Sequence, residues 1–151
     1  RGEMPRAAKP RRAESEKASE WSAGGKLLLV EDEDTVRAVA ERALTRAGYA
    51  VTTASDGEIG LGIVANSGET FDLIVSDVVM PVMDGPAMAR AIRRVRPDVP
   101  ILFMSGYAEE HLRNEIDIDN MHFIPKPFSV QQINAKVADV LSLQKSGRET
   151  A

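Results

Sequence analysis

The stretch Phe71-Asp72-Leu73-Ile74-Val75-Ser76-Asp77-Val78-Val79-Met80-Pro81-Val82-Met83-Asp84-Gly85-Pro86 decides the fold. Residues 71–76 are apolar enough to form a buried strand. The run stops at Asp77, and a turn rich in Pro and Gly follows at once. One carboxylate is thereby placed at the carboxyl end of a hydrophobic strand, the edge at which open α/β sheets bind ligands.

Working outward, the same pattern recurs. Residues 26–30, Lys-Leu-Leu-Leu-Val, form a short strand whose unbroken apolar run suits a sheet covered on both faces. Four acids follow, Glu31-Asp32-Glu33-Asp34, and then Val36, Val39, Ala40, Ala43, Leu44 and Ala47 at helical spacing, with Asp34 as the expected N-cap and Gly48 as the stop. Capping accounts for Asp34 but not for Glu31 and Asp32, which sit directly at a strand end. Residues 49–54 read as a second strand and 58–66 as a helix weakened by Gly60 and Gly62. After Asp77 comes a helix over 86–94, with Met88, Ala91, Ile92 and Val95 facing inward. Residues 101–104 form a fourth strand ending at Ser105-Gly106-Tyr107, followed by a short polar helix over 108–116. A fifth strand, 121–125, ends at Lys126-Pro127-Phe128. Ser129 and Gln132 form a capping box for a last helix whose inward face is Val130, Ile133, Val137, Val140 and Leu141. Five strand–helix repeats imply a parallel sheet with helices on both faces. The strand order does not follow from the pattern.

The chain has 151 residues, enough for one domain with a sizeable core. Residues 1–25 are polar and carry Pro5, Pro10 and the basic residues Arg6, Lys9, Arg11 and Arg12; they read as a disordered linker, residues 26–143 as the folded domain and 144–151 as a flexible tail. The first residue is Arg1, as expected of a piece of a longer chain or a processed product, and no signal peptide is visible. With 43% hydrophobic and 28% charged residues the composition is that of an ordinary globular domain. No apolar run approaches the roughly 20 residues of a membrane span. The absence of Cys excludes disulfides and thiolate metal sites, and a net charge of −4 gives no reason to expect nucleic-acid binding. Gly24-Gly25-Lys26 fails as a phosphate loop because Glu20 stands where the first glycine is required. His111 and His122 are lone residues, read as surface and strand-five positions rather than nucleophiles.

In a parallel sheet the strand ends share one edge. That edge carries Glu31 and Asp32 from strand one, Asp77 from strand three, Ser105 from strand four and Lys126 from strand five. Singly, Lys126 reads as a surface lysine, Ser105 as a turn hydroxyl and Asp77 as a helix cap. Jointly, three crowded carboxylates need a cation, and an all-oxygen donor set suits Mg²⁺. A hydroxyl and an ammonium beside them suit phosphoryl oxygens. The chemistry inferred is phosphoryl transfer onto a carboxylate.

Val-Glu-Asp-Glu at 30–33, Ser-Asp-Val-Val-Met-Pro-Val-Met-Asp-Gly at 76–85, Met-Ser-Gly-Tyr at 104–107 and Pro-Lys-Pro-Phe at 125–128 resemble the receiver domain of bacterial two-component response regulators over about residues 26–143. The resemblance implies a flavodoxin-like (CheY-like) fold of strand order 2-1-3-4-5 with five helices. It implies that Asp77 is the phosphoacceptor, and that Mg²⁺ is held by Asp32, Asp77, the Val79 carbonyl and, through water, Glu31. Ser105 and Lys126 would hold phosphoryl oxygens, with Ser105 and Phe123 as switch residues and a Lys126–Pro127 bond that is often cis. Val79 and Tyr107 flank the phosphorylation site, and neither can position a hydrolytic water, so slow self-dephosphorylation is expected.

The wording is also similar to C-terminal receivers of hybrid histidine kinases, those of the alphaproteobacterial cell cycle in particular. That implies a histidine kinase domain and a histidine phosphotransferase as partners, a cytoplasmic location and a parent kinase anchored in the inner membrane. It implies no nucleic acid and no direct membrane contact; dimerisation is open to phosphorylated receivers. Helix one, with Arg37, Ala38 and Glu41, and the loops around Asp77 would form the docking surface. The alternatives are a free-standing switch that binds a target through helix four, strand five and helix five, and a haloacid-dehalogenase-like phosphatase. The phosphatase needs a second acid where Val79 stands.

Overall fold

The computed structural model describes residues 25–106 and 109–150. The expected linker up to Gly24, including Trp21, and Tyr107 lie outside them. The chain alternates β1 (Lys26–Val30), α1 (Asp34–Arg46), β2 (Ala50–Ala54), α2 (Gly57–Asn66), β3 (Leu73–Asp77), α3 (Gly85–Val95), β4 (Ile101–Ser105), α4 (Glu109–Glu115), β5 (Met121–Pro125) and α5 (Val130–Thr150). The strands form one parallel sheet in the order β2-β1-β3-β4-β5. This is the flavodoxin-like order implied by the sequence motifs.

The unbroken apolar strands have the expected reason: alternate residues of each strand enter opposite cores. On one face Leu27, Leu29, Leu73, Val75, Leu102 and Met104 pack under α1 and α5, through Ala43, Leu44, Ile133 and Val137. On the other, Leu28, Val30, Ile74, Ile101 and Phe103 pack under α2, α3 and α4, through Val64, Met88, Ile92 and Leu112. Among the described residues no helix is long and apolar enough to cross a membrane.

Several boundaries differ from expectation. β3 starts at Leu73, because the Asp72 carboxylate turns back to accept from the Lys26 amide at 2.8 Å, and it runs on to include Asp77, which is in register with Met104. α1 starts at Asp34, so Glu33 and not Asp34 is the N-cap. Asp34 instead pairs with Arg37 at 2.6 Å. On α3 the buried positions are Gly85, Met88, Ala89 and Ile92, while Ala91 is half-buried and Val95 exposed. On α1 and α5 the outer members of the expected inward faces, Val39 and Val130, are also exposed. α5 continues to Thr150, past the end expected near Leu143. Gln144 is tied to Asn120 by a reciprocal amide pair at 2.9 and 3.1 Å.

Candidate active site

The sheet order reverses direction between β1 and β3, and at such a switch point the strand ends open a crevice. Glu31 and Asp32 leave β1 there, and Asp77 closes β3. Carboxylate oxygens of Glu31, Asp32 and Asp77 lie within 4.8 Å of one another. Lys126 reaches in from the end of β5, its Nζ 3.2 Å from Glu31 Oε1 and 3.0 Å from Asp77 Oδ2. Ser105 ends β4, and its carbonyl accepts from the Lys126 amide at 2.8 Å. Five residues from four separate segments of the sequence therefore meet at one edge.

Local structure fixes each of them. Glu31 is buried; its Oε2 accepts from the Glu33 amide at 3.0 Å, replacing the missing side-chain cap of α1. Asp77 Oδ1 accepts from the Val78 amide at 2.8 Å. The loop after Asp77 closes on itself, Gly85 donating to the Val78 carbonyl at 2.8 Å. A Cβ on Gly85 would stand 2.4 Å from the Asp77 carbonyl oxygen, so only glycine fits. Asp84 caps α3 by accepting from the Ala87 amide at 2.9 Å, and Asp56 caps α2 in the same way through Ile59. The Lys126–Pro127 peptide is cis.

The electrostatics follow from the crowding. Burial raises the Glu31 pKa above 4.5, and the charge of Asp77 adds to this. The Glu33 amide and Lys126 oppose the shift without overcoming it. For Lys126, burial works against the charged form, but hydrogen bonding and attraction to Asp77, with Glu31 behind it, prevail and raise its pKa. One ammonium thus serves two carboxylates while Asp32 adds a third. An all-oxygen set with one desolvated member is what a hard divalent cation compensates, so these residues fit Mg²⁺.

The remaining sequence candidates take definite places. The second position beyond Asp77 is Val79 and not an acid, and its side chain is 63% exposed. Phe123 is buried, stacked on Phe103 with ring centres 5.9 Å apart and covered by the Arg113 guanidinium at 5.0 Å. Arg37, expected from the sequence only as a docking contact, has its Nη1 donating to the Glu31 carbonyl at 2.8 Å, which braces the acidic turn from α1. That brace and the two close-packed glycines, Gly57 and Gly85, were not singled out from sequence. The Asp-Gly pairs 56–57 and 84–85 were the available signal, each an N-cap followed by a residue with no room for a side chain.

This arrangement is that of a known class. The sequence profile of the response regulator receiver domain matches residues 27–138, and the chain belongs to that family, a module of two-component signalling. The chain is 43% identical over 143 residues to the sensor kinase CckA of Brucella abortus, covering 94% of this chain and 15% of the kinase. It is 37% identical over 119 residues to the alkaline phosphatase synthesis regulator PhoP of Bacillus subtilis, covering 77% of this chain and 48% of the regulator. It therefore spans less than half the length of either relative. Among solved structures, the receiver domain of the hybrid histidine kinase CckA superposes with a TM-score of 0.67 at 38% identity, covering 78% of this chain and 99% of that one. The receiver of the Pseudomonas aeruginosa sensor kinase PA1611, solved with a magnesium ion in its active-site cleft, gives 0.69 at 26% identity over 78% and 98%.

Proposed function

We propose that this chain is the phosphoacceptor module of a phosphorelay, in which Asp77 takes a phosphoryl group from a kinase phosphohistidine and passes it to a histidine phosphotransferase. The observation that carries the reading is Lys126 Nζ set between Glu31 and Asp77, beside three carboxylates within 4.8 Å.

In the forward step an Asp77 oxygen bonds to phosphorus as the P–N bond of the phosphohistidine breaks. With its other ring nitrogen protonated, the histidine leaves as neutral imidazole. Lys126 moves its ammonium from the Asp77 carboxylate to the phosphoryl oxygens, and the Ser105 hydroxyl donates to another. Asp32, Asp77 and the Val79 carbonyl would hold Mg²⁺, with Glu31 acting through water; when bound, the ion neutralises charge on the phosphoryl oxygens. Onward transfer is the same step reversed, with an acceptor histidine as nucleophile.

The partners in this reading are a histidine kinase domain of the same parent chain and a phosphotransferase, met in the cytoplasm. α1 supports this by presenting Ala38, Val39 and Glu41 outward while Arg37 is engaged with Glu31 and Asp34. Val39 and Val130, 51% and 50% exposed, line one groove between α1 and α5 and offer apolar contact to a partner helix. The test is a relay assay with an autophosphorylated histidine kinase as donor. Label should reach wild type, fail to reach Asp77→Asn, and leave again when a histidine phosphotransferase is added. Label that stays on Asp77 would fit a switch that binds its target through α4, β5 and α5.

A further inference from the structure

The amino ends of the strands form an edge of their own, opposite the acidic crevice. A groove of about 730 Å³ lies along it, lined by Phe71, Val99 and Pro100, which lead into β3 and β4, and by Leu143 of α5. Phe71 and Val99 are buried, whereas Leu143 is 52% exposed. The groove is preformed. Arg93 donates to the Val99 carbonyl at 2.5 Å and to the Asp119 carbonyl at 2.7 Å. Asn120 Nδ2 donates to the Asp98 carbonyl at 3.3 Å and to Gln144 Oε1 at 2.9 Å. Asp98 and Asp119 also line the groove, and both are exposed. The chain enters the domain beside it. The Asp72 carboxylate accepts from the Lys26 amide at 2.8 Å, so the residue that opens β1 is bonded to one that lines the groove. Neighbouring strands lie about 5 Å apart. Trp21 precedes Gly25, the first described residue, by four positions, and four extended residues span up to about 13 Å. That length reaches past β3 along the amino edge. It does not reach the acidic crevice, which lies beyond the whole of β1, about 16 Å away.

We propose that this groove seats the chain's own preceding segment, with Trp21 packed on Phe71, Pro100 and Leu143. The occupant follows from reach and from chemistry. Residues 1–24 are mostly polar, and Trp21 is their one aromatic residue. A buried indole needs an acceptor for its N–H, and the rim carboxylates of Asp98 and Asp119 supply one. The same segment carries six basic and four acidic side chains, a balance that suits an acidic rim. Fastened there, the segment is held at the edge opposite Asp77 and leaves the acidic crevice clear for a partner.

The test uses the full chain, whose single tryptophan makes fluorescence a report on residue 21 alone. Native wild type should emit to the blue of the chain unfolded in urea and should be quenched less by acrylamide. Leu143→Asp should bring emission and quenching to the unfolded values while the far-UV circular dichroism stays native. The milder Leu143→Ser should move both in the same direction, and Leu143→Met, which keeps the apolar contact, should leave both as in wild type. In thermal unfolding, Trp21→Ala and Leu143→Asp together should lower Tm by less than the sum of their separate effects, because each removes the same contact. Native wild-type fluorescence equal to that of the unfolded chain would overturn the inference. A blue-shifted emission that survives both Leu143→Asp and Leu143→Ser would do so too, since the indole would then be covered elsewhere. A blue shift lost on dilution would overturn it in favour of a second copy of the chain, and additive effects on Tm would contradict the contact itself.

Discussion

Lys126 Nζ lies 3.0 Å from Asp77 Oδ2, joining the ends of strands β5 and β3 across 49 residues of sequence. The same ammonium is 3.2 Å from buried Glu31. The three carboxylates therefore hold more negative charge than the Lys126 ammonium offsets, and the members of the site should respond in opposite directions to mutation. Glu31→Gln removes a desolvated charge and should stabilise the Mg²⁺-free domain by on the order of 1 kcal/mol while weakening Mg²⁺ binding. Lys126→Met should destabilise the Mg²⁺-free domain by about 1–2 kcal/mol, and Mg²⁺ should restore more stability to it than to wild type. Urea unfolding with and without Mg²⁺ checks both. Two variants shifted in the same direction without the ion would contradict this account of the charge balance.

The glycines of the site elements should divide sharply. A Cβ at Gly85 would meet the Asp77 carbonyl oxygen at 2.4 Å and Phe103 Cε1 at 2.9 Å, and one at Gly57 would meet the Met83 carbonyl oxygen at 2.3 Å. Backbone atoms cannot give way cheaply, so Gly85→Ala and Gly57→Ala should each cost roughly 2 kcal/mol or more. Gly62 on α2 has open space, its nearest neighbour being Asn66 Nδ2 at 4.0 Å. Gly62→Ala should instead stabilise by about 0.5–1 kcal/mol. Thermal unfolding of the three variants would read the contrast.

With Val79 apolar and two residues beyond Asp77, nothing at that position can orient an attacking water. The phosphoryl group should therefore be long-lived. Val79→Asn should shorten its lifetime by roughly tenfold through a positioned water. Phosphate release after removal of the donor measures this; a wild-type lifetime of seconds would contradict it.

His122 gives the domain a pH dependence away from the acidic site. It is half-buried in β5, with Nε2 3.1 Å from Asn120 Oδ1. Burial, with Lys136 and Arg113 nearby, lowers its pKa below 6.5, against the opposing pull of Asp139 and Glu109. The folded state binds this proton less readily than the unfolded chain. The stability it contributes is thus fully present above the unfolded value and is lost as pH falls through the folded one. Between about pH 7 and about pH 5, wild type should lose stability more steeply than His122→Gln. Parallel pH profiles would contradict this.

The sequence was most legible where one residue type has one use. The apolar runs became strands because each feeds two cores at once, as Leu27 and Leu28 show by pointing to opposite faces, whereas β2 with Thr52 and Thr53 was legible from strand propensity. Glu31, Asp32, Asp77, Ser105 and Lys126 met because a parallel sheet brings its strand ends to one edge. Strand order was not legible in the periodicity: the two Thr of β2 fit a less buried strand, but nothing in the spacing orders the other four, and only the motifs implied the order. Boundaries slipped where a side chain took the place of a backbone partner. Asp72 shortens the start of β3 by bonding to Lys26, and Glu31 serves the α1 terminus that Asp34 was expected to cap. The inward faces of α1, α3 and α5 were overdrawn at Val39, Val95 and Val130, because helical spacing marks which residues share a face and not how far the neighbouring element covers it. The turn after Asp77 was legible from its Pro and Gly, but the left-handed φ of 69° at Val82 was not, because a β-branched residue is ill suited to that conformation.

Intact mass after incubation with acetyl phosphate tests the central claim most directly. Wild type should gain one phosphoryl group, only when Mg²⁺ is present, and Asp77→Asn should gain none. Labelling that persists in Asp77→Asn would place the acceptor elsewhere. A wild type that neither gains the group nor binds Mg²⁺ would mean that the fold has kept its acidic edge without the chemistry.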